Sequence, residues 1–152
     1  MRLVNLCTLN LRPTTTNALV RPFGTEEGTT FQEGEGVAEG ERLRGVARWC
    51  NVPRRRSDGA MLPDIRGVIH THEGAMVIFH LEGRVIWNPT NNGPIGDQLM
   101  RVTFVAEDAR YQWLNNAFCV FEGRVRPPSP TSDNRPQRVG DAYVYECVND
   151  LS

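Results

Sequence analysis

The chain has 152 residues, a net charge of −1 and a hydrophobic content of 39%. That length suits one domain, residues 1–152, around a single core, and about 68–70% burial on folding at this size makes neither disulfides nor a structural metal necessary. The near-neutral charge argues against a general nucleic-acid or membrane-surface binder, and 17 arginines without a lysine exclude Schiff-base chemistry and any lysine general base.

"MRLVNLCTLNLRP", Met1 to Pro13, alternates polar and apolar residues, which reads as a first strand and not as a signal peptide. "GVAEGERLRGVARWCNV", Gly36 to Val52, contains at least one more strand, with a turn near Gly40 and Glu41. "DIRGVIHTH" (Asp64–His72) and "AMVIFHLEGRVIW" (Ala75–Trp87) are two strands joined through Glu73-Gly74. "LMRVTFVA", "YQWLNNAFCVFEGRV" and "DAYVYECV" complete the set, and "EDARYQWLNN" has room for a helical turn. Short alternating runs with 14 glycines and 10 prolines point to an all-β barrel or sandwich. No run approaches the ~18 consecutive apolar residues of a membrane span.

Three connections are long: Asn51–Pro63, Asn88–Asp97 and Arg126–Gly140. Such loops act as lids or binding loops, or are disordered. The third, rich in Pro and Ser, is expected to be a mobile surface connection. Arg54, Arg55 and Arg56 read as a solvated loop face, with phosphate or carboxylate recognition as the alternative. Cys7, Cys50, Cys119 and Cys147 form no C-x-x-C pair, and we expect four free thiols in a reducing, cytoplasmic setting.

All three histidines fall between Gly67 and Trp87. A metal-binding cupin barrel would use His-x-His, an acid shortly after, and a later histidine. His70 and His72 supply the first part, but Ala75, Met76 and Val77 stand where the acid belongs, and no histidine follows His80. A two-residue turn at Glu73-Gly74 would pair His70 with Val77 and His80 with Gly67. His80 then lies on the opposite face from His70 and His72; a three-residue loop reverses that. No metal and no other cofactor is expected.

Asp64, Arg66, Val68, His70 and His72 share one strand face. Facing inward, the charges would need partners, and a histidine among them moves a proton near neutral pH. Facing outward, Asp64 and Arg66 form a weak surface pair. Alternation alone leaves both open. "RYQWLNNAF", read as a strand, puts Tyr111, Trp113 and Asn115 on one side, suited to a cavity wall or to a packed core with Asn115 capping a turn. "GEGVAEG" (Gly34–Gly40) lacks the strand–G-x-G-x-x-G–helix context of a nucleotide site and reads as turns and a bulge.

Taken in order, "EGTTFQEG…ERLRGVARW", "DIRGVIHTHEGA", "ARYQWLNN" and "AYVYECV" resemble a family of small bacterial and fungal β-barrels known as a domain of unknown function, three-two-three-seven in its series. Its D-x-R is Asp64-Ile65-Arg66, its T-x-D-G-A is Thr71 to Ala75 with Glu73 for the aspartate, and its R-Y-x-W-L-N is Arg110 to Asn115. The match runs from Gly28 to Val148; the family's G-x-D-W stretch is replaced by Asn51–Pro63, so a different ligand is expected if that stretch lines the cavity. The resemblance implies a single antiparallel β-barrel, calycin-like, with a central cavity served by Asp64, Arg66, Tyr111, Trp113 and Asn115.

These readings predict a cofactor-free enzyme of small-molecule, secondary metabolism that performs an intramolecular cyclisation, isomerisation or lyase-type rearrangement. Asp64 or His70 would move the proton and Arg66 with Tyr111 would stabilise an oxyanion. Trp113 and Phe79 would shape the apolar wall, and Asn115 with His72 would orient the substrate. The alternatives are a lipocalin-like binding protein and a structural barrel with a solid interior. The expected partners are a small molecule and, from exposed strand edges, a second copy of the chain.

Overall fold

Strand formation follows from residues that alternate between inside and outside. In Gly28–Glu39 (β2), Gln32, Gly34, Gly36 and Ala38 are buried while Phe31, Glu33, Glu35, Val37 and Glu39 face water, the period-two pattern of a strand wet on one face. The computed structural model describes residues 1–128 and 135–151, without the side chains of 16 and 17. The middle of the Pro/Ser-rich connection, 129–134, thus lies outside the described residues.

The other strands are β1 (Arg2–Val20), β3 (Gly45–Asn51), β4 (Arg54–Arg55), β5 (Met61–Leu62), β6 (Asp64–Thr71), β7 (Met76–Asn88), β8 (Ile95–Val105), β9 (Cys119–Arg126), β10 (Gln137–Arg138) and β11 (Tyr143–Val148). A short 3-10 helix occupies Gln112–Asn116. β1, β2, β3, β6, β7, β8, β9 and β11 pair in succession, every pair antiparallel, and close into a ring of eight. β1 makes the closure: Arg2 to Thr8 pair with β11 and Thr8 to Val20 with β2. Among the described residues no helix is long and apolar enough to cross a membrane.

The expected loop Asn51–Pro63 is instead the outer part of one long hairpin. β4 and β5 continue β3 and β6 in unchanged register, and that register sets Pro53 opposite Pro63. Proline has no N–H to give the ladder, so two facing prolines make a gap there, and the chain turns at 56–60, where Arg56 N–H donates to Ala60 O at 3.0 Å. The expected loop Asn88–Asp97 shrinks likewise, because β7 and β8 pair out to Asn88 and Ile95.

The interior has two halves. Toward the turn between β6 and β7 it is solid: Leu9, Leu43, Ile69, Val77, Phe79, Leu114, Cys119 and Val144 are buried together. Toward the proline pair it is hollow. Trp49 stands at the boundary, its indole N–H donating to Glu35 O at 2.8 Å. Its ring lies where a side chain on Gly34 would go: a Cβ there would sit 2.3 Å from Trp49 Cζ2 and 2.4 Å from the Arg12 carbonyl oxygen.

Gly34→Ala therefore forces backbone and indole apart. We expect a loss of about 1–3 kcal/mol, seen as a lower urea midpoint at unchanged m-value; an unaltered midpoint would contradict this packing.

Candidate functional site

The hollow half is a cavity of about 550 Å³. Its buried wall is built by inward-facing strand residues, among them Trp49, Ile65, Val85, Met100, Phe121 and Ala142. Trp87 and Leu11 add half-buried apolar surface. Prolines at 13, 53, 63, 128 and 136 border it. The polar lining consists of Thr30, Gln32, Asn51 and Gln98 with three arginines, Arg21, Arg55 and Arg138. Among the described residues no carboxylate, imidazole or thiol lines it.

Asn51 is the most firmly placed polar group of this wall. It is buried at 8% exposure, and its side-chain oxygen accepts from the Asp64 N–H at 3.1 Å. That bond orients the amide, leaving Nδ2 as the donor available to a bound molecule. Gln98 stands on β8 opposite Val85 of β7, and both line the cavity. A second depression, about 390 Å³, runs along Asp97, Glu122, Arg124 and Tyr143. Its charges already have partners: Arg124 holds Asp97 at 3.0 Å, and Tyr145 donates to Glu122 at 2.8 Å.

None of the eight site residues expected from the sequence lines the cavity. The cause for four of them is one turn. Thr71 N–H donates to Ala75 O at 2.9 Å and Ala75 N–H to Thr71 Oγ1 at 3.0 Å, enclosing a three-residue loop with Gly74 at φ 86°. The register becomes His70 opposite Met76 and Arg66 opposite His80. His80 therefore shares the outer face with Asp64, Arg66 and His70, contrary to the two-residue-turn pairing. On that face His80 Nε2 meets Asp64 Oδ1 at 2.7 Å, and Arg66 lies 3.5 Å from the same oxygen. His72 is exposed in the loop itself, and Phe79 is in the solid core at 1% exposure. Among the described residues no three metal-ligating side chains converge.

Tyr111, Trp113 and Asn115 stand at the other end of the ring from the cavity, because the segment forms a 3-10 helix and not a strand. Arg110 clasps Asp108 through two bonds of 2.9 and 2.7 Å and donates to Glu73 O at 3.2 Å. Tyr111 is buried, its hydroxyl 3.4 Å from Glu73, and Asn115 bonds both the N–H and the carbonyl of Ala106 at 2.7 and 2.9 Å. Trp113 lies under Arg42, whose guanidinium carbon is 3.6 Å from the ring centroid. The motif is a plug tied to the β6–β7 turn. The residues that do line the cavity, Asn51, Gln98 and Trp87, were missed; their signal was inward parity in β3, β7 and β8.

The four cysteines are unpaired. Burial pushes the Cys7 and Cys119 thiols up to about 12, so neither supplies a thiolate near neutral pH.

Fold and cavity together define a class, an antiparallel ring with one end packed and the other hollow. No protein-family model matches the chain, and no curated protein matches it in sequence. Solved structures do match in fold. An enzyme from Penicillium herquei is 18% identical, with a TM-score of 0.65 over 95% of this chain and 92% of that one. A protein of unknown function from Clostridium acetobutylicum is 14% identical, with a TM-score of 0.76 over 97% of each chain. A beta-barrel like protein from Acinetobacter baumannii is 17% identical, with a TM-score of 0.59 over 91% and 93%.

Two outcomes check these placements. Titration of the native protein with a thiol reagent at pH 8 should spare Cys7 and Cys119 until denaturant is added, leaving the half-buried Cys50 and Cys147 to react. Asp64→Ala removes a partly exposed charge pair with Arg66 and a contact with His80, so it should cost at most about 1 kcal/mol of stability and leave ligand binding in the cavity unchanged. A large loss of binding in that variant would place the site on the outer face.

Proposed function

We propose that the protein binds one small, mostly apolar molecule inside the ring, as a calycin-like barrel does. The observation that carries this reading is the unfilled half of the interior, about 550 Å³, within the range of about 300–1,000 Å³ typical of ligand sites. Protein interiors pack densely, and a gap of this size forfeits dispersion contacts that a ligand restores. Trp49, Trp87, Phe121 and Met100 offer the apolar surface, while Asn51 and Gln98 offer directional hydrogen bonds. The order of the D-x-R, E-G-A and R-Y-x-W-L-N motifs supports membership of the domain-of-unknown-function family as part of the same proposal.

Cofactor-free catalysis of an intramolecular rearrangement is the second reading, favoured by the Penicillium herquei enzyme whose fold this chain shares over 95% of its length. Here the cavity would act by selecting a reactive conformer, and Asn51 Nδ2 would donate to a developing oxyanion. Proton transfer would fall to the substrate and water, because Asp64 and His70 lie on the outer face.

N-phenyl-1-naphthylamine, a neutral fluorescent probe, tests the binding reading. Saturable one-to-one binding is expected, weakened at least about tenfold in Met100→Trp, which fills the cavity from its wall, while far-UV circular dichroism stays native. Absence of saturable binding in the wild-type protein removes this reading. Catalysis requires more: a bound carbonyl compound recovered as an isomer, with conversion lost in Asn51→Leu at retained probe affinity. Recovery of the compound unchanged leaves binding alone.

A further inference from the structure

We propose that the molecule taken up by the cavity carries a carboxylate, which Arg55, seconded by Arg21, holds at the mouth. This deepens the small-molecule reading and rests on it.

The three consecutive arginines of the 54–56 stretch have three different fates. Arg54 points outward and grips Glu27 through two bonds of 2.7 and 2.9 Å. Arg56 closes on Asp58 in the turn, at 3.2 and 2.6 Å. Those two are neutralised, and their guanidinium groups hold the Glu27 and Asp58 carboxyls below the usual carboxylate range. Arg55 lies between them on the opposite face of β4, half-buried, opposite Met61 and lining the cavity with it. Among the described residues no carboxylate lies within ion-pair distance of Arg55, and no carboxylate lines the cavity to serve it.

Arg21 is exposed but borders the same cavity. It follows the end of β1, lines the same mouth, and has no carboxylate partner among the described residues. The two arginines flank one glycine. Gly28 is the register partner of Arg55, and a Cβ on it would lie 2.8 Å from the Arg21 backbone carbonyl carbon. Strand spacings of about 4.8 Å put the two backbones roughly 10 Å apart, well within the span of two converging arginine side chains. The third arginine of the mouth, Arg138, is already engaged, by the Gly140 carbonyl and by Asp141 at 3.7 Å.

A guanidinium presents paired donors whose geometry matches the two oxygens of a carboxylate. Next to an apolar wall, solvent competes less for that pair than on an open surface. The occupant that satisfies both ends is therefore an amphipathic acid. Its head group sits between Arg55 and Arg21, and its apolar body runs inward along Trp49, Met100 and Phe121.

Decanoate and decan-1-ol, equal in chain length and different in charge, test this on the full chain. Trp49 and Trp87 line the cavity, whereas Trp113 lies under Arg42, so tryptophan fluorescence reads occupancy. Decanoate should bind about tenfold more tightly than the alcohol, with an advantage that shrinks as salt rises. In Arg55→Gln the ratio should fall to about one with alcohol affinity retained; Arg54→Gln, altering the outward neighbour, should leave it intact. Equal binding of acid and alcohol by the wild-type protein overturns the proposal and leaves the cavity reading standing. Loss of decanoate binding while N-phenyl-1-naphthylamine still binds also overturns it. Failure of all three probes removes both readings together.

Discussion

The turn closed by Thr71 and Ala75 sets the side of the sheet for every residue in the strands it joins. Two hydrogen bonds across it, at 2.9 and 3.0 Å, enclose three residues, and Gly74 takes the left-handed conformation that the geometry needs. Because side chains alternate faces, changing that loop by one residue would exchange the inner and outer sets along the pairing. The loop as formed sends Ile65, Ile69, Val77, Phe79 and Leu81 inward and Asp64, Arg66, His70 and His80 outward. The same register carries through the proline gap, so Met61 and Arg55 face the cavity and Arg54 faces water.

A ring of eight strands leaves an interior that side chains must fill or leave open. This chain does both. Near the turn, large residues fill the space, and Phe79 lies over Gly67, where a Cβ would come within 2.5 Å of the ring. Farther along, Trp49 lies across Gly34, and beyond it the opposing walls do not meet. The 3-10 helix with Tyr111 and Leu114 stops the packed end, and the proline-bordered mouth stays open.

Charge is distributed to match. Thirteen ion pairs among the described residues, nearly all on exposed side chains, tie neighbouring strands and turns from outside, each worth little alone. The cavity receives amides together with Arg55 and Arg21, which have no carboxylate partner among the described residues, and Arg138, which pairs with Asp141. That division separates the histidine-bearing hairpin, on the outer face, from the cavity lined by Asn51 and Arg55.

Much of the architecture was legible along the chain. The alternation in "DIRGVIHTH" and "AMVIFHLEGRVIW" marks β6 and β7 to within a residue at each end, and β3 falls inside the Gly36–Val52 stretch, because period-two burial is a local property of any strand wet on one face. The all-β class was likewise determined by local pattern, whereas the segment at Gln112–Asn116 fitted both a strand and a helical turn and is a 3-10 helix. Three things were decided only by tertiary structure. The length of the turn at 72–74 set which face is inner, because two-residue and three-residue loops fit the same sequence and differ by a whole face. The prolines at 53 and 63 looked like loop residues, and only their opposition across one register made them a gap in a hairpin. The fate of the arginine triplet depended on carboxylates at Glu27 and Asp58 and on a cavity reached from the other face. Alternation states that a strand has two sides; ring closure, which brings distant strands together, states which of them is inside.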